Sequence, residues 1–249
     1  MLKKTGLLTI IAVIVFLNQP CIAYLVINDG FETQVDIGAG RPTDFGYWGG
    51  DYAQIVTAND GIVPFEGSRM LQFVYVSSLG KPASGVGCTV WQLINTNDFS
   101  TEISSGNAIA LLSARFNRVA GDAETDSEFF GSIVACSGSV SDFPSIINEG
   151  TWLAATSATT LYSDGDISTW QTAFAELPLP ANTDYIGIAV NAQENIYNDT
   201  TGVEFDGHYV DAVAFQIVPE PSTLLLLGLG AVMLRRKHKF SWLLDTKRI

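Results

Sequence analysis

The sequence predicts an all-β protein, an antiparallel β-sandwich, on three observations. Large apolar residues recur at every second position, as at Leu71, Phe73 and Tyr75, which is the period of a strand. Glycine, asparagine, aspartate and proline separate such runs at close intervals. No stretch between residues 24 and 217 has a sustained helical period. We therefore expect many short antiparallel strands in a jelly roll, with an immunoglobulin-like sandwich as the second choice.

Residues 1–23 have the pattern of a secretory signal peptide. Lys3 and Lys4 precede a short apolar stretch, and small residues up to Ala23 occupy the positions that a signal peptidase reads. We expect signal peptidase to cleave after Ala23. A permanent N-terminal anchor is less favoured because the apolar run is short. A lipoprotein modified at Cys21 is also disfavoured, because the residues before it do not resemble a lipobox.

Residues 24–217 form the predicted β-sandwich ectodomain, with no low-complexity linker and no repeat of fixed period. The predicted strands are residues 25–32, 71–76, 89–94, 108–116, 129–135, 152–161, 185–190 and 209–218. Turn signals stand at residues 59–61, 163–166 and 177–180. This spacing predicts one domain, since a sandwich of this length needs no second core.

The charge distribution predicts a topology across a membrane. Between Tyr24 and Val218 there are 24 acidic residues against five basic ones, a net charge of −19. All the other lysines and arginines flank the two terminal apolar segments. Basic flanks favour the cytoplasmic side, so the acidic middle is expected on the far side. A domain of this charge repels nucleic acid, which we exclude as a partner.

Two cysteines, Cys88 and Cys136, remain after removal of the signal peptide. Both fall on predicted strands of a protein that leaves the reducing cytoplasm, which favours a disulfide between them. Such a bond would close a loop of about 48 residues and stabilise the fold by a few kcal/mol. The alternative is two buried thiols on strands that never meet.

Tyr47 and Tyr52 are candidate ligand-binding residues. They belong to the glycine-rich segment 45–52, which has four aromatic rings in eight residues. Exposed tyrosine rings stack on sugars, and neighbouring glycines allow a ligand to approach closely. The tryptophans are expected in the core instead: Trp48, Trp91, Trp152 and Trp170.

No catalytic residue is predicted. His208 is the only histidine of the ectodomain, and no Gly-x-Ser-x-Gly sequence supplies a nucleophile for a catalytic triad. Zinc catalysis needs two or three histidines as a rule. A glycosidase that uses paired carboxylates stays open, because acidic residues are abundant and their spacing in the fold is not visible.

A Pro-Glu-Pro triplet, an apolar run and a basic cluster follow one another near the C-terminus. Pro219, Glu220 and Pro221 precede the uncharged run 223–234, which ends at a basic cluster. As a helix this run reaches about 18 Å, short of a hydrocarbon core of about 30 Å. We expect a short transmembrane helix that local bilayer thinning and snorkelling basic side chains accommodate.

The order of elements in residues 218–239 resembles the PEP-CTERM sorting signal of exported bacterial proteins. The resemblance implies that an exosortase processes the tail at or near Pro219, Glu220 and Pro221. The protein would be anchored in the inner membrane, transiently or stably, and then reach the cell surface or the exterior. Residues 240–249 extend beyond the usual end of such tails, and the sequence assigns them no role.

Both ends of the ectodomain resemble those of carbohydrate-binding-module jelly rolls, the galactose-binding-like folds. The resemblance rests on Asn-Asp-Gly-Phe-Glu at residues 28–32 and on Asp211 in segment 205–213. It implies polysaccharide binding and a structural calcium ion held by Glu32 and Asp211. The family's second aspartate is Ala212 here. Without calcium, the two carboxylates are ordinary solvated strand-end acids.

These observations predict an exported cell-surface or extracellular-matrix protein that binds polysaccharide and is not an enzyme. The first alternative is a structural matrix or envelope protein without a specific ligand. The second alternative is a secreted glycan-active enzyme.

Overall fold

In a computed structural model, two β-sheets contain nearly all the regular structure of the residues that the structure describes. The structure describes residues 25–35, 37–75, 86–119, 127–157, 159–194 and 207–219. One compact unit extends as far as Val218, and a second begins at Pro219. No helix within the described ranges is long and apolar enough to cross a membrane. The predicted signal peptide and the apolar run 223–234 lie outside these ranges.

Twelve strands and two short helices make up the described fold. The strands are β1 (Gly38–Ala39), β2 (Gly49–Gly50), β3 (Tyr52–Val56), β4 (Met70–Tyr75), β5 (Val86–Asn95), β6 (Ala108–Arg118), β7 (Ser127–Cys136), β8 (Ala154–Ser157), β9 (Leu161–Tyr162), β10 (Gln171–Pro178), β11 (Tyr185–Glu194) and β12 (His208–Pro219). The helices are α1 (Ser100–Ser104) and α2 (Phe143–Glu149), each preceded by one 3₁₀ turn.

The strands form a seven-stranded and a five-stranded sheet. The seven-stranded sheet has the order β1-β2-β5-β11-β7-β8, and β9 also pairs with β7. The five-stranded sheet has the order β10-β6-β12-β4-β3. The long pairings, of β11 with β5 and β7 and of β10 with β6, are antiparallel. The prediction of an antiparallel β-sandwich is confirmed, and the interleaved strand order is that of a jelly roll.

The core lies between the sheets and follows the two-residue period of the strands. On β6, Ala110, Leu112 and Ala114 are buried, while the residues between them reach the outer face. Phe116 of β6 stacks on Phe129 of β7 with ring centroids 5.0 Å apart. This stacking joins the two sheets through a pair of core phenylalanines.

The predicted first strand, residues 25–32, is not a strand. Residues 27–30 form a turn, and Asn28 has a positive φ of 56°. The Asn28 side chain accepts a hydrogen bond from the Thr33 N–H and donates one to the Thr33 carbonyl. Asparagine readily makes such local bonds in turns, and they replace the strand ladder that the apolar run suggested.

The predicted disulfide between Cys88 and Cys136 is wrong. Both cysteines are buried and not bridged, and they flank β11 on opposite sides. Cys88 lies opposite Ala192 and Cys136 opposite Tyr185, so seven residues, or about 23 Å, separate them along the strand. A disulfide needs Cα atoms within about 7 Å. The alternative of two buried thiols therefore describes the fold.

Several elements differ from the prediction. The predicted strand 152–161 is divided into β8 and β9, and β3, β10 and both helices were not expected. Trp152 lies ahead of β8 and is 39% exposed, contrary to its predicted core position. Trp48 and Trp91 are buried as expected, and Trp170 is half-buried. The Trp152 side chain is exposed because β8 begins only at Ala154, two residues after it.

Candidate functional site

An open groove of about 590 Å³ lies on the outer face of the five-stranded sheet, across β10, β6 and β12. The loop between β8 and β9 contributes one further residue to its lining. The lining residues are Leu111, Leu112, Ser113, Thr159, Phe174, Ala175, Glu176, Ala214, Phe215 and Gln216.

The edge strand β10 turns Phe174 and Glu176 outwards. Its alternate residues Ala173, Ala175 and Leu177 are buried in the core. Because strand side chains alternate between faces, the residues between them point to solvent. The Phe174 ring is 68% exposed, the largest exposed fraction among the large apolar side chains in the described part of the chain.

Polar side chains share the groove with this ring. Phe174 lies opposite Ser113 of β6 in the strand register, and Glu176 lies opposite Leu111. On the other side of β6, β12 supplies Gln216. The groove thus combines one exposed aromatic ring with a hydroxyl, a carboxylate and an amide. That combination suits a ligand with an apolar face and hydroxyl edges, as a sugar ring has.

Arg115 and Phe65 lie beyond Ser113 along the same face. Arg115 is two residues from Ser113 on β6 and pairs with Thr172 of β10. Its guanidinium carbon is 4.7 Å from the centroid of the Phe65 ring, a cation–π contact. The Trp170 ring also packs edge-on against the Phe65 ring, with ring centroids 6.3 Å apart.

Asp211 holds the loop that carries Phe65. One carboxylate oxygen, Oδ2, accepts hydrogen bonds from the Phe65 N–H at 2.8 Å and the Glu66 N–H at 3.1 Å. The other, Oδ1, accepts from the Ala212 N–H at 2.8 Å. The side chain is fully buried, and burial raises the pKa of Asp211 to about 6 although the three N–H groups oppose this change.

Glu32 binds the next residues of the same loop. Its Oε1 accepts from the Ser68 and Arg69 N–H groups at 2.8 and 3.0 Å, and Oε2 accepts from the Ser68 hydroxyl. The two backbone hydrogen bonds lower the pKa of Glu32. Gly67 has a positive φ of 61°, and a Cβ there would lie 2.2 Å from Oε1. A side chain at position 67 would therefore displace the Glu32 carboxylate, and the positive φ favours glycine there.

The structure brings the two predicted calcium ligands, Glu32 and Asp211, to one loop, residues 65–69. The groups around them are hydrogen-bond donors, which occupy about three of the four lone-pair positions on each carboxylate. In the described part of the chain, no group of three or more His, Cys, Asp or Glu side chains could hold a metal ion. Calcium takes six to eight oxygens, so these carboxylates alone fit it poorly. Calcium stays a prediction.

The candidate rings Tyr47 and Tyr52 lie away from the groove. Tyr47 precedes β2 and is 67% exposed. Tyr52 begins β3, the other edge of the five-stranded sheet, and is 54% exposed. It lines a smaller hollow of about 310 Å³ with Gln34 and Gln54. Both rings are accessible, and their role in binding stays a prediction.

The groove residues were not predicted from the sequence because strand β10 was not predicted. The signal was present: small residues at 173 and 175 and Leu177 alternate with Phe174 and Glu176. In β10, however, the largest apolar side chain faces solvent and the small ones face the core. A search for large apolar residues at every second position therefore passes over this strand.

His208 does not face the groove. Its Nε2 lies 2.6 Å from the Ser127 hydroxyl, and both side chains are buried. Their hydrogen bond links the start of β7 to the start of β12. The pair therefore has a structural position rather than access to a substrate.

Of the predicted sorting residues, Pro219 ends β12. Ala23, Glu220 and Pro221 lie outside the described residues.

The fold is similar to solved carbohydrate-binding modules at low identity. One is TmCBM61 in complex with β-1,4-galactotriose, with 14% identity over 80% of this chain and 99% of that chain and a TM-score of 0.43. Another is the C-terminal family 22 module of Clostridium thermocellum Xyn10B, with 14% identity over 79% and 96% and a TM-score of 0.43. A third is a xylan-binding domain of family 22, with 14% identity over 80% and 97% and a TM-score of 0.41.

No curated protein matches the chain. A family model does match near its C-terminus and confirms the resemblance found in the sequence. Residues 218–237 are a PEP-CTERM protein-sorting motif.

Proposed function

We propose that this protein is exported to the cell surface or extracellular matrix and binds polysaccharide in the groove across β10, β6 and β12. The sorting motif at residues 218–237 supports the destination. The single observation that supports binding is Phe174, a ring 68% exposed in the groove and flanked by polar side chains. Exposed phenylalanine disfavours solubility, whereas a sugar stacked on it covers the apolar surface.

The groove supports binding better than turnover. A glycosidase of the common kind places two carboxylates on either side of the scissile bond. Among the described lining residues, Glu176 is the one carboxylate. We therefore assign Glu176 the role of a hydrogen-bond acceptor for sugar hydroxyls.

The export route follows from the two ends of the chain. We propose that signal peptidase cleaves after Ala23 and that an exosortase acts near Pro219, Glu220 and Pro221. The apolar run 223–234 would hold the protein in the inner membrane before this step. Strand β12 ends at Pro219, directly ahead of the rest of the motif, so cleavage there leaves the strands of the sandwich complete.

A glycan-binding assay tests the proposal. Full-length protein is tested against purified polysaccharides, with calcium and with EDTA. We expect binding to at least one of them, weakened about tenfold or more in Phe174→Ala. Tyr162→Ala is the matched control, because Tyr162 is an exposed ring on β9 of the other sheet.

Other results would select the alternatives. Binding to no polysaccharide under either condition would contradict the proposal and favour a structural matrix protein. Polysaccharide turnover that Glu176→Gln abolishes would favour a glycan-active enzyme.

A further inference from the structure

Arg115 is a cation on the outer face of a strongly acidic domain. It is one of five basic residues between Tyr24 and Val218, where 24 residues are acidic. Its neighbours Ala114 and Phe116 are buried, so its side chain leaves the core on the groove side of β6. We expect a cation at this position to interact with an anionic group.

Within the described residues, no carboxylate pairs with this guanidinium. The partner of its charged group there is the Phe65 ring, whose centroid is 4.7 Å from the guanidinium carbon. A cation–π contact takes none of the five N–H donors of an arginine as a conventional hydrogen bond. The planar fork of donors is therefore available for the two oxygens of a carboxylate.

The support behind Arg115 is fixed. The Phe65 N–H donates to the buried Asp211, and its ring meets Trp170 at 6.3 Å. The Trp170 indole N–H in turn donates to the Val63 carbonyl at 3.1 Å. A ring held by its backbone and by a second ring needs no reordering when a ligand arrives, which favours binding.

Arg115 lies within reach of a ligand on Phe174. Phe174 lies opposite Ser113 in the strand register. Arg115 is two residues beyond Ser113 along β6, which is a distance of about 7 Å. A sugar that stacks on Phe174 can place the carboxylate of the next ring, or its own, at this distance. The negative net charge of the domain disfavours a densely charged polyanion. It does not disfavour a polysaccharide that carries only a few carboxylates.

We infer that Arg115 and Phe65 form a subsite for a uronate residue of an otherwise largely neutral polysaccharide. This inference rests on the proposed function, because the ligand is held in the same groove. It adds a ligand class, polysaccharides that contain uronate residues, which the exposed ring alone does not specify.

The test compares polysaccharides that differ only in their carboxyl groups. Glucuronoxylan and xanthan are each used as such and after chemical reduction of the carboxyl groups to primary alcohols, with neutral polysaccharides alongside. We expect full-length protein to bind at least one unreduced polymer about tenfold or more tightly than its reduced form. Arg115→Gln should remove this preference without weakening binding of the reduced polymer.

Two further variants separate charge from shape. Arg115→Lys keeps the charge but not the planar fork, so it should retain only part of the preference. Arg41→Gln is the matched control, because Arg41 bonds Asn148 away from the groove, and it should leave the preference unchanged. Melting temperatures of all variants show that each is folded.

Three results would overturn the inference. Equal affinity for reduced and unreduced forms in both pairs, with binding that still needs Phe174, removes the uronate subsite and keeps the proposed function. A preference that persists in Arg115→Gln places the carboxylate elsewhere. Absence of binding to every polysaccharide removes the proposed function together with the subsite.

Discussion

At the residue scale, the pKa of Asp211 is subject to two opposing effects. It is fully buried, which disfavours its charge, and it accepts three backbone N–H groups, which favour it. Burial is the larger effect and raises the pKa to about 6. The charged form persists at neutral pH because the amides of Phe65, Glu66 and Ala212 need an acceptor. At neutral pH the buried charge of Asp211 therefore lowers the stability of the fold, while its hydrogen bonds fix loop 65–69.

The raised pKa of Asp211 predicts how stability changes with pH. A pKa raised above the unfolded value of 3.8 means that the folded state binds the proton more tightly. The stabilising contribution is full below about pH 4 and is lost as the pH rises through about 6. Asp211→Asn cannot ionise, so we expect its stability to fall less between pH 4 and 7, by up to about 3 kcal/mol.

Urea unfolding of both proteins at several pH values measures this difference. Glu32, whose pKa is lowered, changes stability in the opposite direction, but equally in both proteins. Parallel stability curves for the wild type and Asp211→Asn would contradict the buried, raised-pKa carboxyl.

At the element scale, loop 65–69 depends on both of its carboxylates. Removing Asp211 leaves three N–H groups without an acceptor, each at a cost of about 1–3 kcal/mol if it stays buried. This loop also places Phe65 against Arg115, so its position and the groove are connected.

Melting experiments on Asp211→Ala test the loop and the calcium hypothesis together. In EDTA, we expect this variant to melt several degrees below the wild type, and Asp98→Ala, an exposed acid, to melt as the wild type does. Calcium bound by Glu32 and Asp211 predicts a higher melting temperature on adding the ion, and no rise in Asp211→Ala. An unchanged wild-type melting temperature would contradict the cation site.

The outward and inward rings of neighbouring strands should respond differently to truncation. Phe174→Ala on β10 removes an exposed ring, so the free energy of unfolding should change by less than about 0.5 kcal/mol. Phe116→Ala on β6 removes a ring that is stacked in the core, and should cost about 3–5 kcal/mol. Denaturant unfolding measures both, and a large loss in Phe174→Ala would show that this ring is structural.

The strands that the sequence predicted share one property, and β10 lacks it. Central strands such as β5 and β11 carry runs of apolar residues because both of their faces are covered, one by the main core and the other by a second apolar cluster that includes Phe143 of α2. The edge strand β10 presents small residues to the core and Phe174 to solvent. Which of its two faces is buried depends on the position of β10 in the fold, which a single sequence does not reveal.

Parts of the site could be predicted and parts could not. Glu32 and Asp211 were paired by the resemblance to carbohydrate-binding-module jelly rolls, and the structure places both against loop 65–69, while calcium stays a prediction. Their amide partners follow from the path of loop 65–69, a tertiary feature. The cysteine pairing was wrong because strand order, not distance along the chain, decides which strands meet.

At the scale of the whole molecule, an acidic sandwich is joined to a sorting tail. Between Tyr24 and Val218 the chain carries 24 acidic and five basic residues, while its other basic residues concentrate towards the two ends. The sorting motif covers residues 218–237, and the groove lies in the sandwich ahead of it. The sorting motif and the candidate binding site are therefore separate parts of the chain.

Mass spectrometry of the mature protein tests the proposed processing. We expect an N-terminus at Tyr24, because signal peptidase should cleave after Ala23, and a C-terminus near Pro219. Substituting Glu220 should leave the N-terminus unchanged and retain the tail. A mature chain that still ends at Ile249 would contradict exosortase processing of this protein.

The strand that enters the sorting motif is the central one of the five-stranded sheet. β12 lies between β6 and β4 and ends at Pro219. Its pairing with β4 covers His208–Val210, at the opposite end of the strand from Pro219. While the tail is held in a membrane, a pull on Pro219 would therefore have to slide a strand out of the middle of the sheet, whereas an edge strand would peel away one hydrogen bond at a time.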